Sequence, residues 1–204
     1  MANLEHQIEI KRGIPEPLRH QAASICYDGF LPQNPQIEWL FGSRQKGIIL
    51  LAQGLNLEQA LTAQVEGELV GFVGLNYENH PFFRFERSNF IRELGLLRGL
   101  LAFLCLNNTS IVKPLPDEMG IAVLVVDLAM RGKGIGCLLM KAAFEIAQQN
   151  HCSAVVLDTA ITNAVARRLY ERLGFKTVRT IEFKYLPKWI SSGATIMRKD
   201  MISS

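Results

Sequence analysis

Residues 121–158 constrain this chain more than any other stretch. IAVLVVD at 121–127 is a continuous, largely β-branched apolar run, the pattern of a strand buried on both faces. MRGKGIGCLL follows at 130–139, with glycines at 132, 134 and 136. Apolar residues then recur at Ile135, Leu138, Leu139, Ala142, Ala143 and Ile146, which is helical spacing with one buried stripe. AVVLD at 154–158 is a second buried strand. A strand, a helix and a strand in succession make a βαβ unit, so the two strands are expected to be parallel neighbours.

Glycine permits a tight turn and a close approach to the backbone. A helix start adds free N–H groups and the positive end of the dipole. Together these suit an anion, most often a phosphate. Spacing then separates the common phosphate loops. A triphosphate loop needs GxxxxGK followed by Ser or Thr; here Lys133 lies between Gly132 and Gly134, and no Ser or Thr follows. The dinucleotide fingerprint is GxGxxG after the first strand of its fold; here the spacing is GxGxG, late in the chain. A third reading, a coenzyme A pyrophosphate site, comes from a family resemblance and not from spacing.

Elsewhere the pattern is mixed α and β. A short strand is expected at 8–14, a helix at 15–30, a proline loop at 30–36, and a helix at 37–55 interrupted by Gly42 and Gly47. A hairpin at 61–78 turns at Glu-Gly-Glu. A helix at 163–175 ends at Gly174, and two more strands follow at 176–186 and 194–200. An insertion at about 80–117 separates the third and fourth strands; it holds an aromatic cluster, HPFFRFERSNF, and a leucine-rich helix, LGLLRGLLAFLCL. It is expected to cover an acceptor site, form a dimer face or supply ordinary core. The chain is read as one domain, 1–204, of α/β class, with hairpins flanking a parallel pair.

Composition removes other classes. A net charge of +3 is too mild to argue for nucleic acid. The four cysteines form no CxxC and the four histidines show no ligand spacing, so neither a metal nor a disulfide framework is expected. The start, MANLEHQIEIKRG, has no apolar signal core. The stretch 94–106 contains Arg98 and is shorter than the ~20 residues of a spanning helix. The expectation is a cytoplasmic protein without membrane attachment.

The segment LVVDLAMRGKGIGCLLMKAAF resembles motif A of the GNAT N-acetyltransferase superfamily, whose core [RQ]-x-x-G-x-[GA] is filled by Arg131, Gly134 and Gly136. Of the preceding L-x-V-x-P-x-x-R pattern, Leu124, Val126 and Arg131 match, while Leu128 replaces the proline. A second family pattern, N-x-x-A-x-x-L-Y-x-x-x-G-F, is matched by Asn163, Ala166, Leu169, Tyr170, Gly174 and Phe175. The resemblance covers about 118–176 and follows the earlier half only in element order.

The resemblance implies a central, mostly antiparallel sheet with one splayed parallel pair and helices on both faces. It implies transfer of an acetyl group from acetyl-CoA to a primary amine, on a small molecule or a peptide, by direct attack in a ternary complex. It also implies that backbone N–H groups of Gly132, Lys133, Gly134, Ile135, Gly136 and Cys137 hold the pyrophosphate, with Arg131 shaping the loop and attracting phosphate. Leu124, Val125 and Val126 would pair with pantetheine, the Val126 N–H polarising the thioester carbonyl. Asn163, Ala166 and Tyr170 share one helix face. Asn163 would bind pantetheine, or simply cap its helix. Tyr170 would protonate the departing thiolate, or stand as a core-edge aromatic. The base is open among Glu118 (with Asp117 beside it), Glu68 and no single residue. Residues 121–126 carry no acid, which motivates the alternative of a non-catalytic acyl-CoA binding or sensing module. Dimers are common in such proteins.

Overall fold

The computed structural model describes residues 8–30, 40–107, 112–182 and 193–201. Seven strands are described: β1 (Ile8–Arg12), β2 (Ala60–Val65), β3 (Glu68–Asn76), β4 (Glu118–Val126), β5 (Ala154–Ala160), β6 (Lys176–Glu182) and β7 (Gly193–Asp200). They form one sheet in the order β1-β2-β3-β4-β5-β7-β6. β4 and β5 are parallel; every other neighbouring pair is antiparallel. The β2–β3 hairpin turns at Glu66 and Gly67, both at positive φ, as a tight two-residue hairpin turn requires. Residues 183–186 of the expected sixth strand lie outside the described residues, as do 31–36 of the proline loop and 37–39 of the next expected helix.

The helices are α1 (Arg19–Phe30), α2 (Arg44–Gly54), α3 (Arg87–Leu94), α4 (Leu96–Asn107), α5 (Ile135–Gln149) and α6 (Ala164–Arg172). The expected helix at 37–55 is broken: Gly42 adopts positive φ, and Ser43 caps α2 by accepting the Lys46 N–H at 3.3 Å. α5 and α6 bury Ile135, Leu139, Met140, Ala143 and Tyr170 on one face of the sheet, against Met119, Ile121, Val155, Leu157 and Met197. α1, α2 and the insertion bury Ala22, Cys26, Leu50, Phe82 and Phe90 on the other, against Phe72, Val123 and Val125.

A bulge divides β4. Gly74 pairs with Val123 but Leu75 pairs with Ile121, leaving Ala122 as an extra residue. An extra residue reverses the in–out alternation beyond it. Thus Met119 and Ile121 face α5, whereas Val123 and Val125 face α1.

The aromatics of the insertion are core. Phe72, Phe82, Phe83, Phe85, Phe90 and Phe103 make a continuous chain of ring contacts with centroids 4.7 to 5.8 Å apart. Glycines make room for it: a Cβ at Gly74 would overlap the Phe82 ring, and one at Gly54 the Phe85 ring. The leucine-rich stretch is α4, packed inward by Gly99 and Ala102 while Leu96, Leu97, Leu101 and Leu104 stay exposed. No helix among the described residues is long and apolar enough to cross a membrane.

Candidate active site

β4 and β5 pair only from Glu118/Ala154 to Ile121/Leu157. Beyond that point β5 stays on β7, with Asp158 opposite Ile196, while β4 stays on β3 through Val126. The two strands therefore part at the bulge and leave an opening. Alternate residues of a strand present both backbone groups to the same neighbour. The Asp127 N–H donates to Val70 O on the β3 side, so Leu124 and Val126 present theirs to the opening, with Val125 turned to β3. The Val126 carbonyl is already taken: Arg131 Nε donates to it at 3.2 Å. Arg131 thus folds back onto the end of β4 and fixes the loop.

The glycine turn stands at the mouth of this opening. Gly132 and Gly134 lie at φ +77° and +82°, a region costly for side-chain-bearing residues. Among the described hydrogen bonds, none uses the N–H groups of Gly132, Lys133, Gly134, Ile135 or Gly136. The Cys137 N–H is different, because it and the Leu138 N–H donate to Gly134 O at 2.9 and 3.1 Å. The row of open donors therefore ends at Gly136, one residue short of the expected range. Ile135 is buried and anchors α5, and exposed Lys133 rests on Met130 Sδ at 3.2 Å. A Cβ at Gly136 would stand 3.6 Å from Leu169, 3.7 Å from Leu124 and 4.0 Å from Val126. The starts of α5, the end of β4 and α6 thus converge there. Five open N–H groups at a helix start fit an anionic pyrophosphate, and the open edge of β4 fits the amides of pantetheine.

Asn163 caps α6, its Oδ1 accepting the Ala166 N–H at 3.1 Å. Ala166 packs beside Tyr170, whose ring is buried edge-on to Phe175 with centroids 5.7 Å apart. Burial, with the Asp158 carboxylate adding to it, pushes the Tyr170 phenol up to about 12.

A profile of the acetyltransferase (GNAT) family matches residues 31–175. The chain belongs to the GNAT family. It is 51% identical over 55 residues to N-alpha-acetyltransferase 30 of Xenopus laevis, covering 27% of this chain and 20% of that protein. It is 44% identical over 62 residues to N-acetylaspartate synthetase of Xenopus tropicalis, covering 30% and 23%. The matches thus span about a quarter or less of those relatives. The ribosomal-protein-S18-alanine N-acetyltransferase of Escherichia coli superposes with a TM-score of 0.59 at 14% identity, covering 97% of this chain and 96% of that one. Ard1 from Thermoplasma volcanium gives 0.60 at 18% identity, covering 97% and 99%. At such identity the likeness carries the fold.

The structure sets Glu118 apart from this GNAT opening. It begins β4, about 13 Å of strand before Ala122. Its carboxylate is buried and both oxygens are engaged: Oε1 accepts from Arg198 of β7, and Oε2 accepts the Leu115 N–H at 3.0 Å. Glu68 is exposed at the β2–β3 turn. Asp158 is the residue that sequence reasoning passed over. It is the first residue of β5 beyond the paired segment, and its charge is felt at Tyr170. The available signal was an acid closing the otherwise apolar run AVVLD.

Proposed function

We propose that this chain is an N-acetyltransferase that transfers acetyl from acetyl-CoA to a primary amine by direct attack. The observation that carries the proposal is the opening between β4 and β5 with five unused N–H groups at its mouth. Bound acetyl-CoA supplies the activated acetyl thioester. Gly132 to Gly136 hold its pyrophosphate through the backbone, and Leu124 and Val126 pair with pantetheine. The Val126 N–H donates to the thioester oxygen, favouring charge that develops there. The Asn163 side chain, its Oδ1 spent on the cap, offers its Nδ2 to pantetheine.

Tyr170 keeps its proton. A phenol near 12 gives it up to a thiolate near 8.5 only against about 3.5 pKa units, roughly 5 kcal/mol. It therefore acts as a hydrogen-bond donor to the leaving sulfur, and the thiol takes up the second proton that the attacking nitrogen sheds as the amide forms. Asp158, across the opening, holds the acceptor ammonium and takes its proton. The relatives' names point to N-alpha-amines and to aspartate, so an α-amino group on a peptide or an amino acid is the acceptor class. The domain reading is one catalytic unit, with the insertion built into its core.

Titration calorimetry with acetyl-CoA, CoA, ATP and NAD tests the reading. The expected result is binding of the two CoA ligands alone, lost in Gly134→Asp, which puts a side chain and a negative charge into the cradle. Absence of CoA binding by the folded wild-type protein would sink it. CoA binding without thiol release across a broad amine panel would favour the non-catalytic module.

A further inference from the structure

A second cluster lies on the sheet face turned away from α5. Met119, Ile121, Val155, Leu157 and Met197 point toward α5, so strand alternation turns Glu118, Gly120, Val156, Asp158 and Arg198 the other way. α1 and α2 cover β3 and the far half of β4 on this face. Over the near half of β4 and over β5, the chain that crosses is the end of the insertion. The Val112 N–H donates to Asp158 Oδ1 at 3.4 Å. The Pro114 ring sits over Gly120, 3.2 Å from where a Cβ would stand. The Leu115 N–H donates to Glu118 Oε2, and Arg198 reaches across β5 from β7 to Glu118 Oε1. The Ser153 N–H donates to Asp117 O at 2.7 Å and closes the base of the arm.

We propose that residues 112–115 form a wall of the amine-acceptor site and that Glu118 and Arg198 are the positioning residues that hold this wall. The inference rests on the acetyltransferase reading. The coenzyme enters beside α5 and α6, so the amine reaches the opening from the opposite face. On that face the arm touches the opening directly, at Asp158. An ion pair with a buried carboxylate is weak evidence for stability, but this one ties β4 to β7 across β5 and, through the Leu115 N–H, to a loop. Glu118, with both oxygens committed, acts on the acceptor through the arm rather than by touching it.

Thiol release is measured with acetyl-CoA and a panel of amino acids, spermidine and short peptides differing in their first residue. The variants are Glu118→Gln, Gly120→Ala and Arg198→Lys. Glutamine keeps an oxygen for the Leu115 N–H but loses the charge pair, and the Gly120 methyl presses on Pro114 at 3.2 Å and on Asn76 Cβ at 3.3 Å while both charged partners are kept. Glu118→Gln and Gly120→Ala are expected to raise the acceptor KM about tenfold and to reorder the panel. The acetyl-CoA KM stays within about twofold, and Arg198→Lys, which keeps the charge opposite Glu118, retains most of the acceptor affinity. An unchanged acceptor KM, or both KM values rising together, would overturn the wall. So would a lost kcat at unchanged acceptor KM, which would make Glu118 the base. Wild-type protein that releases no thiol with any acceptor fails the transferase reading itself, and the wall falls with it.

Discussion

Tyr170→Phe isolates one hydroxyl at the centre of the site. The ring stays, because it is buried against Phe175 and the α5 layer, so the variant should fold and bind acetyl-CoA as before. What goes is a donor held neutral by burial and by Asp158, with its phenol near 12. A hydrogen bond to a charged partner is worth about 1.5–3 kcal/mol. If it forms fully only as the sulfur departs, kcat falls by about 10- to 150-fold. Full proton transfer from Tyr170 would instead give an alkaline limb in wild-type kcat as the phenol ionises; at about 12 that limb lies beyond the ordinary assay range. The assay is the initial rate of thiol release at saturating acceptor, from pH 6 to 10, with the acetyl-CoA KM alongside. A loss of less than about threefold at every pH would refute the donor role. So would a loss confined to the acetyl-CoA KM.

Two further outcomes concern stability. Gly74→Ala drives a methyl into Phe82, which is fully buried between Phe72 and Phe83; it should cost about 1–3 kcal/mol and lower Tm by roughly 3–10 °C. Phe82→Leu in the same chain should recover part of that loss, and strict additivity in a double-mutant cycle would disprove the contact. The Tyr170 phenol is raised in the folded chain from an unfolded value of 10 to about 12. Its contribution is therefore complete below pH 10 and disappears as pH rises to 12. Urea titrations should show wild type losing up to about 3 kcal/mol relative to Tyr170→Phe across that window, and a constant difference would refute the shift.

The βαβ unit was legible because its signals are local. An apolar run, a glycine turn and a helical stripe each lie within a few residues of one another, and the structure places β4, α5 and β5 where they predict. The helix break at Gly42 was harder, since a glycine within helical spacing is tolerated as often as it interrupts; Gly47 remains inside α2. Glu118 shows the limit most plainly. Its position just ahead of a strand suggests a base, but its partner Arg198 lies 80 residues further on. No spacing rule brings β7 beside β4 across β5. Asp158 was missed for the converse reason, because its importance depends on where two strands stop pairing. The insertion's phenylalanines read as a cluster, yet only their fit against Gly54 and Gly74 identifies them as core.

The extra residue at Ala122 sets how this chain tolerates change. Met119 and Ile121 belong to one core, Val123 and Val125 to the other, and Gly120 lies beneath Pro114. Beyond Glu118, whose charge is already met by Arg198, no inward position of the strand is left for a charge. Exchanging one aliphatic side chain for another of similar volume is absorbed at small cost. Removing a single residue would swing Val123 and Val125 toward α5 and Leu124 and Val126 toward α1, undoing both layers at once. β4 is therefore permissive in composition and intolerant in length. New chemistry can enter a protein of this design through β5 and the arm of the insertion, while its central strand holds still.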